Sequence, residues 1–435
     1  MPDDRVTIDL LPNHEGEEVR LLAWVRNVRS SGKILFVILR DGTGEVQAVV
    51  ARDAVDGESW ERAGELGYEA SVEVRGVVKA DERAPSGVEL SVRELGIVGR
   101  SDGYPIQPKE HGVDFLLEHR HLWLRHPRQR AILRVRSEVV RAIRDFLHDR
   151  GFVLIDTPIL TGSIGEEAGT LFETEYFDEG TAYLAQTGQL YVEAAAAAHG
   201  RVYCFGPTFR AEKSRSPQHL TEFWMVEPEM AWTDSEENME LQEAFVRHIV
   251  ERTLERCGDE LATLDRDVGR LEAAVDGPFE RVSYTEAVEE LHERGYDDIE
   301  WGEDLRGRSE DVLMEGRDRP LFVNDWPREI KAFYMKENPE DPRTVKCDDL
   351  LAPEGYGEII GGSQREDDHD RLLARIREEG LPEDAYGWYL DLRRYGTFPH
   401  SGFGLGVERT VAWMCGAEHI RECIPFPRPM NRLEP

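Results

Sequence analysis

Lysine is scarce in this 435-residue chain, which has seven lysines among 53 basic residues. The 87 acidic residues leave a formal net charge of −34 at pH 7. This balance argues against nucleic-acid binding through overall charge, although a local basic groove can persist on an acidic protein. An acidic surface poor in lysine is typical of proteins that work in concentrated salt, and an acidic mesophilic enzyme is the alternative.

Cysteine and long apolar runs are also in short supply. The five cysteines form no CxxC motif and no Cys/His cluster, which argues against a structural zinc site and a disulfide framework. No apolar stretch is long enough to cross a membrane, and Asp3 and Asp4 stand where a secretory signal carries basic residues. We therefore expect a soluble cytoplasmic protein with no membrane partner.

Residues 1–100 have the texture of a small β-barrel. Five short segments rich in β-branched and aromatic residues are separated by Gly, Ser, Asp and Pro. Such a segment is typical of an OB-type barrel, whose open face commonly binds single-stranded nucleic acid. On that face Phe36 suits stacking on a base and Gln47 suits reading a base edge, while a core position is the alternative for Phe36. Arg26 and Arg29 suit phosphate contacts.

A hinge is expected over 101–127, and a larger domain over 128–435. Apolar residues recur at helical spacing from Gln129 to Arg150, and a buried strand is expected to follow and to end at Pro158. Residues 266–318 are charged, interrupted by glycine and short of aromatic residues, which indicates an inserted subdomain.

The stretch from Phe209 to Trp232 predicts an antiparallel hairpin that holds an anion and a planar ring. Arg210 and Glu212 are two residues apart, so on a strand they point to the same face. A guanidinium forks onto phosphate or carboxylate oxygens, and an aromatic residue of the return arm can stack on a flat heterocycle. For this stretch alone, an amphipathic hairpin with surface salt bridges is the alternative.

Two later segments carry residues suited to a polyphosphate. Glu358 lies at a predicted strand end beside a glycine turn, a good position for Mg²⁺ on a polyphosphate. The run GFGLGVER (402–409) leads from a strand into a helix, whose N-terminus favours an anion, and Arg409 adds a full charge. The run matches neither GxxxxGK[ST] nor the dinucleotide-binding pattern. We therefore expect arginines on a mostly antiparallel sheet to hold the phosphates.

These segments resemble the three signature motifs of class II aminoacyl-tRNA synthetases. The helix and strand ending at Pro158 correspond to motif 1, Phe209–Glu212 to motif 2, and 402–409 to motif 3. A leading OB fold resembles the aspartate, asparagine and lysine subgroup. Longer strings, among them HLTEFWMVEPEMA, GEIIGGSQRE and WYLDLRRYG, are similar to the asparaginyl-tRNA synthetase family over essentially the whole chain. The resemblance implies an α+β fold, with an N-terminal OB-fold barrel and a catalytic antiparallel sheet flanked by helices.

The resemblance also implies ATP-dependent ligation of asparagine to tRNA(Asn). In this family the asparagine carboxylate attacks the α-phosphate of ATP and releases pyrophosphate, and the terminal ribose of the tRNA then attacks the aminoacyl-adenylate. Neither step needs a covalent enzyme intermediate, so positioning and charge neutralisation do the work. Mg²⁺ and a homodimer, with Gln129–Pro158 at its two-fold interface, are further implications.

The resemblance assigns roles by motif position. Arg210, Glu212 and Arg409 form the implied catalytic set. The implied ATP-binding set comprises Arg210, Glu212, His219, Phe223, Glu358, Gly406 and Arg409. Arg210 would bridge the asparagine carboxylate and the α-phosphate, Arg409 would hold the γ-phosphate, and Phe223 would stack on adenine. Asp349 and Glu358 would ligate Mg²⁺. In the barrel, Phe36 would stack on the middle anticodon base and Gln47 would bond in the same pocket, with Arg26 nearby.

The choice of amino acid is implied by five further residues. Gln189 and Glu167 would face the substrate α-amino group. Related aspartyl enzymes carry a lysine where this chain has Val192, and removal of that cation favours a neutral amide over a carboxylate. Arg365 would contact the side-chain carbonyl oxygen, and Glu227 would accept the amide NH₂.

Three alternatives stay open at this point. An aspartyl-tRNA synthetase, either discriminating or charging both tRNAs, predicts a lysine at the position of Val192. A tRNA-independent asparagine synthetase of the same ancestry would have no need for an anticodon-binding barrel. An RNA-binding protein with a decayed catalytic fold would not be expected to keep Arg210, Glu212, Glu358 and Arg409 together.

Overall fold

The chain divides into two compact units, Met1–His119 and Arg120–Pro435. The structure, a computed structural model, describes residues 5–84, 86–162, 165 and 170–435. The division falls inside the predicted hinge at 101–127, where two short helices form, α2 (Val113–Glu118) and α3 (Arg120–Trp123). The predicted three-part division of the chain stays a prediction.

The first unit is built on a closed five-stranded barrel with the strand order β1-β2-β3-β5-β4. Its elements are β1 (Glu18–Ser31), β2 (Ile34–Arg40), β3 (Glu45–Ala51), α1 (Gly57–Gly64), β4 (Ser71–Ala80) and β5 (Val88–Gly99). Along β2 and β3, fully buried residues alternate with half-buried ones. This alternation fills the barrel interior with Val, Leu and Ala, and leaves the other side of each strand for binding.

An eight-stranded sheet organises the second unit, in the order β12-β13-β14-β15-β16-β11-β10-β6. The strands of this unit are β6 (Val153–Leu154), β7 (Leu160–Thr161), β8 (Glu173–Glu175), β9 (Thr181–Leu184), β10 (Arg201–Phe209), β11 (Glu222–Ala231), β12 (Glu280–Ser283), β13 (Leu321–Asn324), β14 (Cys347–Ala352), β15 (Gly357–Gln364) and β16 (His400–Gly406). Within the large sheet, only the pairs β10–β6 and β12–β13 are parallel among the described strands. Strands β7, β9 and β8 form a separate small sheet.

Helices complete this unit, and some of them pack on the sheet. They are α4 (Pro127–Asp149), α5 (Gln189–His199), α6 (Ser235–Arg256), α7 (Gly258–Thr263), α8 (Val268–Ala274), α9 (Tyr284–Glu293), α10 (Arg308–Met314), α11 (His369–Glu378), α12 (Gly387–Arg394) and α13 (Val407–Cys415). Helix α4 matches the predicted periodicity, because Ile132, Val135, Val139 and Ile143 are all fully buried. These side chains share one core cluster with residues of α6 and α13, so the three helices are packed together.

Two predicted strands differ from the structure. The strand after α4 is only two residues long, and Val153 and Leu154 are 40% and 41% exposed rather than buried, because β6 is the edge of the sheet. The apolar run IKAFYMKE (330–337) also predicts a strand from its sequence, and no strand forms there. Phe333 and Tyr334 are buried in a cluster with side chains of α11 and α12, so the apolar residues of this segment reflect packing under helices.

Residues 266–318 extend the central sheet. Strand β12 pairs in parallel with β13, and α9 and α10 pack over the same region. Tyr284, Leu291 and Leu313 share a buried cluster with Trp326 and Val345, which lie beyond the segment. The segment therefore shares its core with the strands that follow it.

Candidate active site

The hairpin of β10 and β11 is antiparallel, and its last pair is Phe209 with Glu222. The prediction that Arg210 and Glu212 lie on a strand is wrong, since β10 ends at Phe209. The Arg210 N–H still donates to the Thr221 carbonyl, but the next N–H, that of Ala211, donates to Thr170. The backbone therefore leaves the hairpin at this point, and both residues lie in the connecting loop.

The structure nevertheless brings the predicted ATP-binding side chains together. The Arg210 guanidinium lies 5.4 Å from the centre of the Phe223 ring. Glu212 Oε2 is 3.5 Å from His219 Nε2. Burial, followed by the positive charges of Arg409 and Arg210, lowers the pKa of His219, while Glu212 opposes the shift. Arg210 thus lies against the Phe223 ring, and Glu212 lies beside His219.

Arg409 lies in the first turn of α13, as predicted, and faces Glu358 on β15. Its Nη1 donates to the Glu358 carbonyl at 2.6 Å and is 3.7 Å from the Glu358 carboxylate. Asp349 on β14 is paired with Lys331, whose Nζ lies 2.6 Å from Oδ2. Burial raises the pKa of Asp349, with Lys331 opposing and Glu358 adding to the shift. One carboxylate oxygen of each acid lies within 3.7 Å of the point where a Gly361 Cβ would stand.

Asp349 and Glu358 fit a magnesium ion held on a nucleotide. They offer only oxygen donors, and Mg²⁺ typically binds one or two carboxylates together with substrate phosphates. No cluster of three or more His, Cys, Asp or Glu suited to a metal occurs in the described part of the chain. Two carboxylates suit an ion that completes its coordination with the phosphates of a substrate.

Glu310 was not predicted for this site. Helix α10 places its Oε2 2.8 Å from the point where a Cβ on Gly357 would stand. Burial and the neighbouring Glu358 raise the pKa of Glu310 to about 7, although Arg409 opposes the shift. The segment 266–318 thus places Glu310 beside Gly357, next to Glu358. No pattern in the sequence predicts this position.

Glu227 lies on β11 at the floor of the predicted amino-acid pocket. Its carboxylate accepts hydrogen bonds from the Gly188 N–H at 2.8 Å and from the Thr187 hydroxyl, and Cys204 Sγ lies 3.2 Å away. Val192 is fully buried in a small apolar cluster that includes Cys204. Val192 therefore occupies apolar surroundings next to the Glu227 site.

Arg365 pairs with Glu229, which lies two residues beyond Glu227 on β11. Its Nη2 lies 2.8 Å from Glu229 Oε2, its Nη1 donates to Ser363 Oγ at 2.6 Å, and the paired side chains are 3% and 0% exposed. Burial raises the pKa of Glu229, and the Arg365 charge opposes that shift. The sequence offered Glu229 as a second candidate partner for Arg365. Glu227 and Glu229 are two residues apart on β11, so their side chains point to the same face.

A second buried network, also missed from sequence, holds Gln189. The Gln189 amide donates to Glu193 at 3.1 Å, one helical turn later on α5. Tyr389, Arg393 and His400 also contact the Glu193 carboxylate, at 2.8, 2.8 and 3.0 Å. Burial opposes ionisation of Glu193, but Arg393 and His400 hold its pKa below the usual range. The network fixes Gln189 at the start of α5.

Gly406 and Glu167 are two further residues predicted for the site. Gly406 closes the ladder between β16 and β11, opposite Met225, and caps α13. Glu167 lies outside the described residues.

The barrel face carries the predicted anticodon residues. In the register, Arg29 lies opposite Phe36, and Gln47 lies opposite Ile38 on the same face, since directly paired residues share a face. Phe36 is half-buried between two buried neighbours, so it points outward and not into the core. Arg26 sits at a bulge in β1, with Nε 3.4 Å from Glu45 Oε1. Its charge is therefore already paired within the barrel.

Comparison with known proteins identifies the family of the chain. Residues 112–430 match the family model of class II tRNA synthetases (D, K and N), and residues 19–98 match that of the OB-fold nucleic acid binding domain. The chain is 55% identical over 435 residues to an asparagine–tRNA ligase of Symbiobacterium thermophilum, covering 99% of both chains. It is 54% identical over 434 residues to one of Chloroflexus aurantiacus, covering 99% of this chain and 98% of that protein.

A solved structure shows the same fold. The crystal structure of asparaginyl-tRNA synthetase from Pyrococcus horikoshii complexed with asparaginyl-adenylate has a TM-score of 0.96 and 48% identity, with 99% of each chain covered. The predicted α+β fold, with its OB barrel and class II catalytic domain, is thereby confirmed. The chain belongs to the class II tRNA synthetases of the aspartate, lysine and asparagine group.

Proposed function

We propose that this chain activates asparagine with ATP and transfers it to tRNA(Asn), releasing pyrophosphate and then AMP. The observation that carries the proposal is the contact of Arg210 with Phe223, together with that of Arg409 with Glu358, in a chain similar over its whole length to asparagine–tRNA ligases. The arginines neutralise the charge that develops on the phosphates, and the aromatic ring holds the base.

The first step needs the asparagine carboxylate in line with the α-phosphate. Arg210, beside Phe223, would contact both groups, because a guanidinium presents two parallel N–H donors. Glu212 and His219 would lie near the adenine and the outer phosphates. Arg409 would hold the γ-phosphate at the N-terminal turn of α13, where the helix dipole adds to its charge.

Asp349 and Glu358 would hold Mg²⁺ on the phosphates. When bound, the ion would neutralise negative charge on the phosphates. Lys331 keeps Asp349 in place through its ion pair. Glu358 is 41% exposed and is therefore accessible to an incoming nucleotide.

Selection of an amide would rest on the charges around Glu227. The Glu227 carboxylate would accept the side-chain NH₂ of asparagine, while Arg365 would donate to its carbonyl oxygen. A carboxylate substrate would instead face Glu227 without a neighbouring lysine, because Val192 is apolar and buried there. Gln189, held by Glu193, would meet the α-amino group, with Glu167 as its proposed companion.

The function is tested by pyrophosphate exchange with asparagine and with aspartate side by side, each with and without tRNA. We expect asparagine-dependent exchange without tRNA and asparaginylation of tRNA(Asn). Equal exchange with aspartate would favour the aspartyl alternative. Asparagine formation from aspartate and ammonia would favour the tRNA-independent alternative.

Val192→Lys should shift the preference from asparagine toward aspartate by at least about tenfold, since a cation would enter beside Glu227. The measurement is the ratio of kcat/KM for the two amino acids in pyrophosphate exchange. Val192→Met is the matched control, because it has similar length and no charge. An Asn/Asp ratio that is the same in both variants would remove position 192 from the specificity argument.

Phe36→Ala should reduce kcat/KM for tRNA charging by about tenfold or more while leaving pyrophosphate exchange unchanged, because base–aromatic stacking is worth about 1–3 kcal/mol. Ile34→Ala is the matched control, an apolar truncation on the same face of β2 two residues away. Equal losses of charging and exchange in Phe36→Ala would show that the ring supports the fold instead of binding tRNA.

We also propose a homodimer and a cytoplasmic location. The edge strand β6 and the residues after it expose apolar side chains, with Val153, Leu154, Ile159 and Leu160 each at least 40% exposed. Such a patch at a sheet edge suits pairing with a second copy. Light scattering after size exclusion measures the mass directly.

In the described part of the chain, no helix is long and apolar enough to span a membrane.

A further inference from the structure

Glu408 is a buried acid with no role in the site described above. It precedes Arg409 on α13 and is 2% exposed. Its Oε2 accepts a hydrogen bond from the backbone N–H of Trp224 at 2.9 Å. Its Oε1 lies 2.8 Å from Nη2 of Arg136 on α4. One carboxylate thus joins the strand that carries Phe223, the helix that carries Arg409, and a second helix, α4.

The contact between Glu408 and Trp224 lies just beyond the end of the ladder between β11 and β16. Strands β11 and β16 pair up to Met225 opposite Gly406, after which the chain turns into α13. Trp224 lies one residue beyond that last pair, and it is opposite Pro207 on the β10 side. The Glu408 carboxylate accepts the Trp224 N–H at the place where the β16 backbone no longer runs alongside, one residue from Phe223.

The positive charge of Arg136 compensates for the burial of the Glu408 carboxylate. Burial raises the pKa of Glu408, and the Arg136 charge opposes the shift. Arg136 also donates from Nη1 to the Cys423 carbonyl at 2.9 Å, so its guanidinium is held from two sides. A buried carboxylate with an ion-pair partner and a backbone N–H donor is a rigid acceptor.

We infer that Glu408 is a positioning residue that fixes the Phe223 platform relative to Arg409. The inference rests on the proposed ATP site. Adenine on Phe223 and the γ-phosphate on Arg409 are the two ends of one ligand, so the distance between the two residues decides how well ATP fits. Loss of the Trp224 contact should therefore weaken ATP binding and leave asparagine binding alone.

Two double variants isolate the contact. Arg136→Met with Glu408→Met removes both charges and the acceptor, while Arg136→Met with Glu408→Gln removes both charges but keeps an amide oxygen for the Trp224 N–H. Replacing a buried ion pair by apolar groups of similar volume is often tolerated by the fold. We expect the KM for ATP in pyrophosphate exchange to be about tenfold higher in the Met/Met variant than in the Met/Gln variant.

The KM for asparagine should differ little between the two variants. Equal KM values for ATP, or equal rises in KM for both substrates, would overturn the inference. Glu408→Asp provides a second comparison if Met/Met does not fold, because it keeps the charge near Arg136 and withdraws the carboxylate by one methylene; a KM for ATP equal to that of the unsubstituted protein would also overturn it. Absence of asparagine-dependent exchange in the unsubstituted protein would instead refute the proposed function.

Discussion

Arg409→Ala should reduce asparagine-dependent pyrophosphate exchange by about a thousandfold, the loss typical of removing an arginine that stabilises phosphoryl-transfer charge. The Arg409 side chain is 25% exposed and contacts Glu358 through a single hydrogen bond to its carbonyl and a 3.7 Å approach to its carboxylate. The loss should therefore appear in activity, with a small change in thermal stability. The measurement is exchange at saturating asparagine over a range of ATP concentrations.

A conservative and a remote variant sharpen this test. Arg409→Lys keeps the charge but not the planar fork, so partial activity is expected. Arg377→Ala removes another arginine of the same unit, 58% exposed and paired with Glu383, and should leave exchange intact. Near-normal exchange in Arg409→Ala, with an unchanged melting transition, would contradict the γ-phosphate role.

The parts of the site that could be predicted from sequence are those fixed by local pattern. The glycine-rich strand and the helix that starts after Gly406 place Arg409 without reference to the rest of the chain. Likewise the period of α4 and the five barrel strands follow from apolar spacing, and the outward side of Phe36 follows from alternation along β2.

The parts that could not be predicted depend on partners distant in the chain. Arg210 leaves the hairpin because the next residue bonds to Thr170, which no local period records. Glu310 comes next to Gly357, the neighbour of Glu358, because α10 packs against β14. Glu193 collects its partners from α12 and β16, about two hundred residues later in the chain. Buried polar networks of this kind have no signature in hydrophobic spacing, since their members come from separate elements.

The buried pair of Arg365 and Glu229 links the stability of the fold to the proposed choice of amino acid. Both side chains are almost fully buried, and removing one partner of a buried pair leaves an uncompensated charge. Arg365→Met should therefore lower the free energy of unfolding by about 3–5 kcal/mol. It should also abolish asparagine activation, because the guanidinium would no longer meet the substrate carbonyl. Urea unfolding and pyrophosphate exchange measure the two effects separately.

A double variant separates these two roles. Arg365→Met with Glu229→Met removes both charges, so most of the lost stability should return, since apolar replacement of a buried pair is often neutral. Asparagine activation should stay absent. Arg266→Met breaks another poorly exposed pair, with Glu354, and is the control for stability loss alone. If the double variant regained asparagine activation together with its stability, Arg365 would be a support of the fold and the carbonyl contact would have to come from another residue.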